Sequence, residues 1–132
     1  KEIESLHQEK AAGLKTELLS KVKDLGNKNV LIAKVALPGA DALKKITFEL
    51  KNEIENSLII LAADIAGKPQ ISVAVSDSVL AAEDINAGQI VRDLAKEIQG
   101  GGGGPPFCAT AGGKNINGLD QVVRRAEEIF LK

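Results

Sequence analysis

Residues 98–113 read IQGGGGGPPFCATAGG, and no other stretch restricts the fold so tightly. Five successive glycines are either a loose tether or main chain lying against something that excludes side chains. Glycine loses more backbone entropy on ordering than any other residue, so an ordered run needs positive φ or a close approach to justify it. Tethers are usually bordered by Ser, Glu or Lys and divide independent units. This run lies between two amphipathic stretches of a 132-residue chain, which is one domain's worth. It continues into PPFCATAGG, which has no charged side chain. A free tether would leave Phe107, Cys108 and Ala109 in water with no gain from burial. The context favours shaped main chain whose bare N–H groups can receive an anion as a nest.

The familiar nucleotide loops do not match. A Walker A loop needs GxxxxGK[ST], and Gly112-Gly113-Lys114-Asn115 lacks both the spacing and the hydroxyl residue. A dinucleotide fingerprint needs strand, glycines and helix in that order. Here a helical pattern precedes the run and prolines follow it.

Apolar periodicity organises the rest. Residues 1–26 predict an amphipathic N-terminal helical arm, with Ala11, Leu14, Leu18, Val22 and Leu25 at steps of three and four and Gly26-Asn27 as its end. Only about two heptads keep register, which suits a short coiled-coil arm or a helix packed on its own domain. Residues 27–132 predict the globular domain. NVLIAKVAL (29–37) reads as a strand, and Pro38-Gly39 as a turn. Asp41 is expected to cap a helix with Leu43, Ile46, Leu50 and Ile54 on its apolar side. SLIILAADI (57–65) and QISVAVS (70–76) are strands joined by Gly67-Lys68-Pro69, a connection short enough to demand an antiparallel hairpin. Residues 77–86 are polar and irregular with a short helical turn. A helix with Ile90, Val91, Leu94, Ala95 and Ile98 on one side leads into the glycines. A last helix carries Leu119, Val122, Val123, Ala126 and Ile129. The order implies an α/β fold: a small mixed β-sheet covered by helices, preceded by the N-terminal amphipathic helix. At least one strand of the hairpin belongs at the centre of the sheet.

Composition narrows the function. With 44% apolar and 27% charged residues the chain is globular. Its aromatics are three Phe, with no Trp or Tyr, so the core is aliphatic and a platform for several stacked bases is not expected. A net charge of −1 leaves any nucleic-acid binding to a local patch. Cys108 is the single cysteine and fits a reducing compartment. It reads as a packing residue, because its Pro and Phe neighbours supply neither a base nor a thiolate partner. One Cys and one His (His7) make no ordinary zinc site, and Asp77, Glu83 and Asp84 read as a solvated loop. No apolar run is long enough to span a membrane. A first residue other than Met, and no Met at all, suggest a piece of a longer protein.

The run of Gly100, Gly101, Gly102, Gly103 and Gly104, followed by Pro106, Ala109, Ala111, Gly112, Gly113 and Lys114, resembles the C-terminal end of alanyl-tRNA synthetases. That DHHA1-like module is related to the accessory domain beside DHH-type phosphoesterases. SVAVSDSVLAAEDINAGQIVRDLAKEI, with its Ala87-Gly88, is similar to the family's strand, loop and helix. Pro105 stands where many relatives carry Arg or Lys, and Phe107 takes the usual acidic position. The similarity covers about residues 25–132.

The resemblance implies a noncatalytic, cytoplasmic module of alanine–tRNA ligase. It would grip the outer corner of tRNA(Ala) and help bridge the aminoacylation and editing sites, with the parent's remaining domains as partners and a homodimer in some members. ATP, Mg²⁺ and zinc belong to the parent enzyme, and no cofactor is expected in this fragment. Two alternatives stand beside it: a dimerisation or protein-interaction module working through the N-terminal helix, and a nucleic-acid-binding lobe of a DHH-type phosphoesterase. Residues 88–132 hold six Lys/Arg against five Asp/Glu, a net of +1. The candidate phosphate contacts there are Arg92, Lys96, Lys114, Arg124 and Arg125, with Arg92 and Lys96 on one helical face.

Overall fold

The computed structural model describes residues 18–24, 28–37, 39–65, 67–82, 86–105 and 107–130. The arm is thus described only from residue 18. His7, Gly26-Asn27, Pro38, Glu83, Asp84, Pro106 and Lys132 lie outside the described residues.

A six-stranded mixed sheet forms the frame. Its strands are β1 (Lys23–Asp24), β2 (Asn29–Leu37), β3 (Ser57–Ile65), β4 (Lys68–Val75), β5 (Gly101–Gly103) and β6 (Cys108–Gly112), in the spatial order β1-β2-β3-β4-β6-β5. The helix α1 (Ala40–Glu53) carries the chain from β2 to β3, which pair in parallel from Asn29 opposite Ser57 to Leu37 opposite Ile65. Every other pairing is antiparallel. The β3–β4 hairpin forms as predicted, with Ile65 opposite Lys68. Gly67 sits at φ +84° in the turn, and its N–H donates to Asp64 Oδ1 at 2.9 Å, a left-handed conformation that glycine adopts without a Cβ penalty.

The apolar run of β3 is explained by helices on both faces of the sheet. Leu58, Ile60 and Ala62 enter one core and Ile59, Leu61 and Ala63 the other, all fully buried. A strand buried on both sides needs no polar alternation. On one face α1 packs over β2, β3 and β4, burying Leu43, Ile46, Leu50 and Ile54 as its periodicity requires. The other face carries α2 (Asp77–Ala82), α3 (Ala87–Ala95) and α4 (Leu119–Phe130), whose Val79, Val91, Leu94, Leu119, Val122 and Ala126 fill that core. Asn86 caps α3 by accepting the Gln89 N–H at 3.2 Å, which satisfies one of the helix's orphan donors.

Three local expectations are corrected. The helical arm does not run to residue 25, because Lys23 and Asp24 are extended and pair with Val30 and Asn29, giving the outer edge of β2 a partner. Leu18 just before them is buried in the α1-side core. Ile129 leaves the apolar stripe of α4 and is 49% exposed, while its neighbour Phe130 packs against the core in its place. The glycine tract and FCATAG, read only as shaped main chain, are two further strands.

Candidate nucleic-acid interface

The glycine tract is ordered because the protein's own main chain crowds it on every second residue. A Cβ on Gly100 would overlap the carbonyl of Gly112, and one on Gly102 the carbonyl of Thr110 and the backbone of Ala111. On Gly104 it would lie 2.8 Å from the Cys108 oxygen. Gly101 has nothing within 4 Å, and Gly103 meets only the Arg92 guanidinium at 3.5 Å. Successive residues of a strand point to opposite sides. One side of β5 therefore lies on β6 too closely for any side chain, while the other is open. Close approach was the right reason for the glycines, but at 100, 102 and 104 the approaching group is the fold itself rather than a ligand.

The same crowding locks α3 beneath the strand. A Cβ on Gly88 would come within 2.8 Å of the Gly104 oxygen, and one on Gly118 would overlap the Glu97 carbonyl. Around this contact the N–H groups are already used. Gly100 donates to Ala95 at 3.0 Å, Gly113 to Pro69 at 3.1 Å, and Lys114 and Asn115 both to the Ile98 carbonyl at 2.9 Å. The Gly112-Gly113-Lys114 turn is thus a structural joint, and its amides are not an anion nest. The main chain that stays accessible belongs to β5, which ends the sheet and has no neighbour beyond it among the described residues.

The five predicted cations do not form one cluster. Arg92 lies beside Gly103, and Lys96, one turn on, shares with it the groove between α3 and the end of α4. Lys114 is exposed just beyond β6. None of these three has an ion-pair partner among the described residues. Arg125 is engaged at both nitrogens, donating to Glu97 Oε1 at 2.8 Å and Asp93 Oδ1 at 2.9 Å, and it ties α4 to α3. Arg124 is one turn beyond Asp120, whose carboxylate holds Lys34 of β2 at 3.1 Å. Arg124 therefore faces the far side of α4, away from the glycines. Of the five, Arg92 alone lies against the glycine strand; Lys96 shares its groove, Arg125 is held by the acids next to them, and Lys114 and Arg124 stand elsewhere on the surface.

Residues 27–132, which contain this whole arrangement, match the family model of the DHHA1 domain. The chain belongs to the DHHA1 domain family. The DHHA1 chain is 43% identical over 130 residues to the alanine–tRNA ligase of Cytophaga hutchinsonii, covering 98% of this chain. It is 46% identical over 132 residues to that of Christiangramia forsetii, covering all of it. It spans 15% of the length of each of these relatives. Among solved structures it resembles the C-Ala domain from Aquifex aeolicus alanyl-tRNA synthetase, at a TM-score of 0.71 and 22% identity, over 83% of this chain and 96% of that one. The DHH domain of a member of the s1p family of ribosomal proteins shares the fold at a TM-score of 0.54 and 20% identity, over 92% of this chain and 30% of that one.

This DHHA1 domain also holds a surface that composition did not reveal. Phe48 is 48% exposed on the outer side of α1, and Phe107 is 40% exposed at the entry to β6. The Lys51 ammonium stands over both rings, 5.4 Å from the first centroid and 5.1 Å from the second. Two of the three phenylalanines thus meet at one lysine on the surface. A helical wheel would have found Phe48, which falls opposite Leu43, Ile46 and Leu50; nothing local brings Phe107 to it. Among the described residues no three His, Cys, Asp or Glu side chains gather as metal ligands. No helix there is long and apolar enough to cross a membrane.

Proposed function

We propose that this DHHA1 domain is a noncatalytic module of an alanine–tRNA ligase that binds tRNA(Ala) and helps present its acceptor end to the aminoacylation and editing sites. The observation that carries the reading is the 46% identity to an alanine–tRNA ligase along all 132 residues. The surface chemistry supports it. Arg92, Lys96 and Lys114 have no ion-pair partner among the described residues, and Arg92 lies beside the bare glycine strand, so a phosphate can approach main chain and a cation together. Phosphate contacts of this kind position a folded RNA without reading its bases. ATP, Mg²⁺ and zinc would serve the parent enzyme's other domains, in the cytoplasm, and this module would work beside those domains or as a homodimer.

Fluorescence titration of tRNA(Ala) with the full chain at two salt concentrations tests the proposal. Each neutralised phosphate contributes about 0.9 to the slope of log K against log salt on duplex regions. Arg92, Lys96 and Lys114 together are expected to contribute about −3 to the slope, and Arg92→Gln/Lys96→Gln to make it shallower by about 2. Binding with no salt dependence would remove phosphate contacts as its source, and no binding at all would remove the reading.

A further inference from the structure

The aromatic residues are distributed the wrong way round for packing. The fully buried side chains are all aliphatic or small, Phe48 and Phe107 are exposed, and Phe130 is half-buried. Burying a Phe side chain stabilises a fold by about 1.5–3 kcal/mol, so two neighbouring exposed rings contribute little to this one. They are also not isolated. α1 covers β2, β3 and β4, and its Lys51 stands over both the Phe48 and the Phe107 ring. Lys44 and Lys45, one turn before Phe48, extend the same side of α1, and both are exposed. Lys44, Lys45 and Lys51 have no ion-pair partner among the described residues. Asp41 lies on that outward line two turns before Phe48, and Glu49 follows Lys45 by one turn.

We infer that Phe48 and Phe107 form a stacking subsite for an unpaired base of the bound RNA, with Lys51, Lys44 and Lys45 on the adjoining phosphates. The inference rests on the RNA-binding reading above and adds a second contact, on the α1 side of the sheet, to the Arg92 and Lys96 contact on the α3 side. Exposed rings bordered by cations are what single-stranded recognition uses, because every base offers a π-face and carries a phosphate with it. An acidic protein segment would match the lysines but would gain less from the rings.

The test is tRNA(Ala) titration and nucleotide-by-nucleotide chemical probing with the full chain and three variants. Phe48→Leu/Phe107→Leu keeps apolar bulk and removes the rings. Its affinity is expected to fall about tenfold, within the range for losing one stacked base, with an unchanged salt slope. One unpaired nucleotide protected by the parent chain is expected to become reactive. Lys44→Gln/Lys45→Gln/Lys51→Gln should instead lower the salt slope by about 2 to 3. Arg92→Gln/Lys96→Gln serves as the reference. If the reference loses affinity while the ring variant keeps both affinity and protections, the subsite is wrong and the RNA-binding reading stands. No binding by the parent chain overturns both. A ring variant that keeps RNA affinity but no longer associates with the rest of the synthetase makes the face a protein interface and also overturns the subsite. Lys51 is half-buried and the other changed residues are exposed, and a circular dichroism melt matching the parent establishes that each variant is folded.

Discussion

Two antiparallel hairpins lie side by side in this sheet and are held together by opposite means. In β3–β4 the strands carry large aliphatic side chains, and residues 58–63 of β3 are fully buried between helices on both faces. In β5–β6 the partner of Ala111 and Thr110 is bare main chain, and the strands approach so closely that side chains are excluded. The first hairpin is stabilised by apolar surface removed from water. The second has little apolar surface to remove; backbone hydrogen bonds and close van der Waals contact hold it, and three successive anchor points require glycine. An identical topological unit can thus be specified by adding side chains or by forbidding them, and only the second way leaves main chain bare at the edge of the sheet.

The largest effect expected from breaking this contrast lies in the packed hairpin. Leu61→Ala removes a fully buried side chain from the α1-side core and should cost about 3 kcal/mol in a urea melt. A loss below about 1 kcal/mol would mean that the α1 face repacks freely and that side-chain burial is not what holds β3–β4. Next comes the glycine hairpin. Gly102→Ala forces a methyl into the backbone of Thr110 and Ala111, and backbone cannot rotate away as a flexible side chain can. About 2 kcal/mol is expected. Amide hydrogen exchange should show protection lost in β5 and β6 while β3 and β4 keep theirs.

The contrast also governs what could be read in advance. β3 and β4 were legible as continuous apolar runs bounded by turn residues, and α1 and the buried side of α4 because Leu, Ile and Val at a period of 3.6 report which side is buried. The β3–β4 pairing followed from the length of its connection. β5 and β6 were not legible as strands, because glycine has no side-chain pattern to display and the alternation in CATAG is of small residues. That the tract must be shaped did follow from its neighbours; that β6 does the shaping did not, since the pairing joins residues through a turn of two prolines and a phenylalanine. For the candidate site, the place of Arg92 beside Gly103 joins residues eleven apart through the end of a helix and was not legible locally. The engagement of Arg125 depends on acids 28 and 32 residues away, which no local pattern encodes. Phe107 is exposed for the same reason: its meeting with Lys51 is a matter of tertiary placement.

A smaller effect tests whether charge adds to the joint under the glycine hairpin. Arg125 bridges Asp93 and Glu97 at a partly exposed position, where ion pairs are worth about 0.2–1 kcal/mol each and weaken with salt. Arg125→Met keeps much of the stem and should destabilise by about 1 kcal/mol at low salt, with the difference shrinking in 1 M NaCl. A salt-independent loss would assign the effect to stem packing.

The smallest expected effect is also the most discriminating, because its sign is opposite to that of its neighbour. Gly101 precedes Gly102 in the strand, lacks positive φ, and has open space where a Cβ would go. Alanine fits there without strain and restricts the unfolded chain, which stabilises by about 0.5 kcal/mol. Gly101→Ala should therefore raise the melting temperature slightly while Gly102→Ala lowers it, although both change one glycine of one run into the same residue. If Gly101→Ala destabilises as Gly102→Ala does, the tract resists any side chain indiscriminately, and the one-sided packing on β6 is wrong. If it stabilises the fold yet weakens tRNA(Ala) binding, the methyl stands where a phosphate approached. Stability and affinity then move in opposite directions at one residue, as expected of a glycine kept for contact and not for folding.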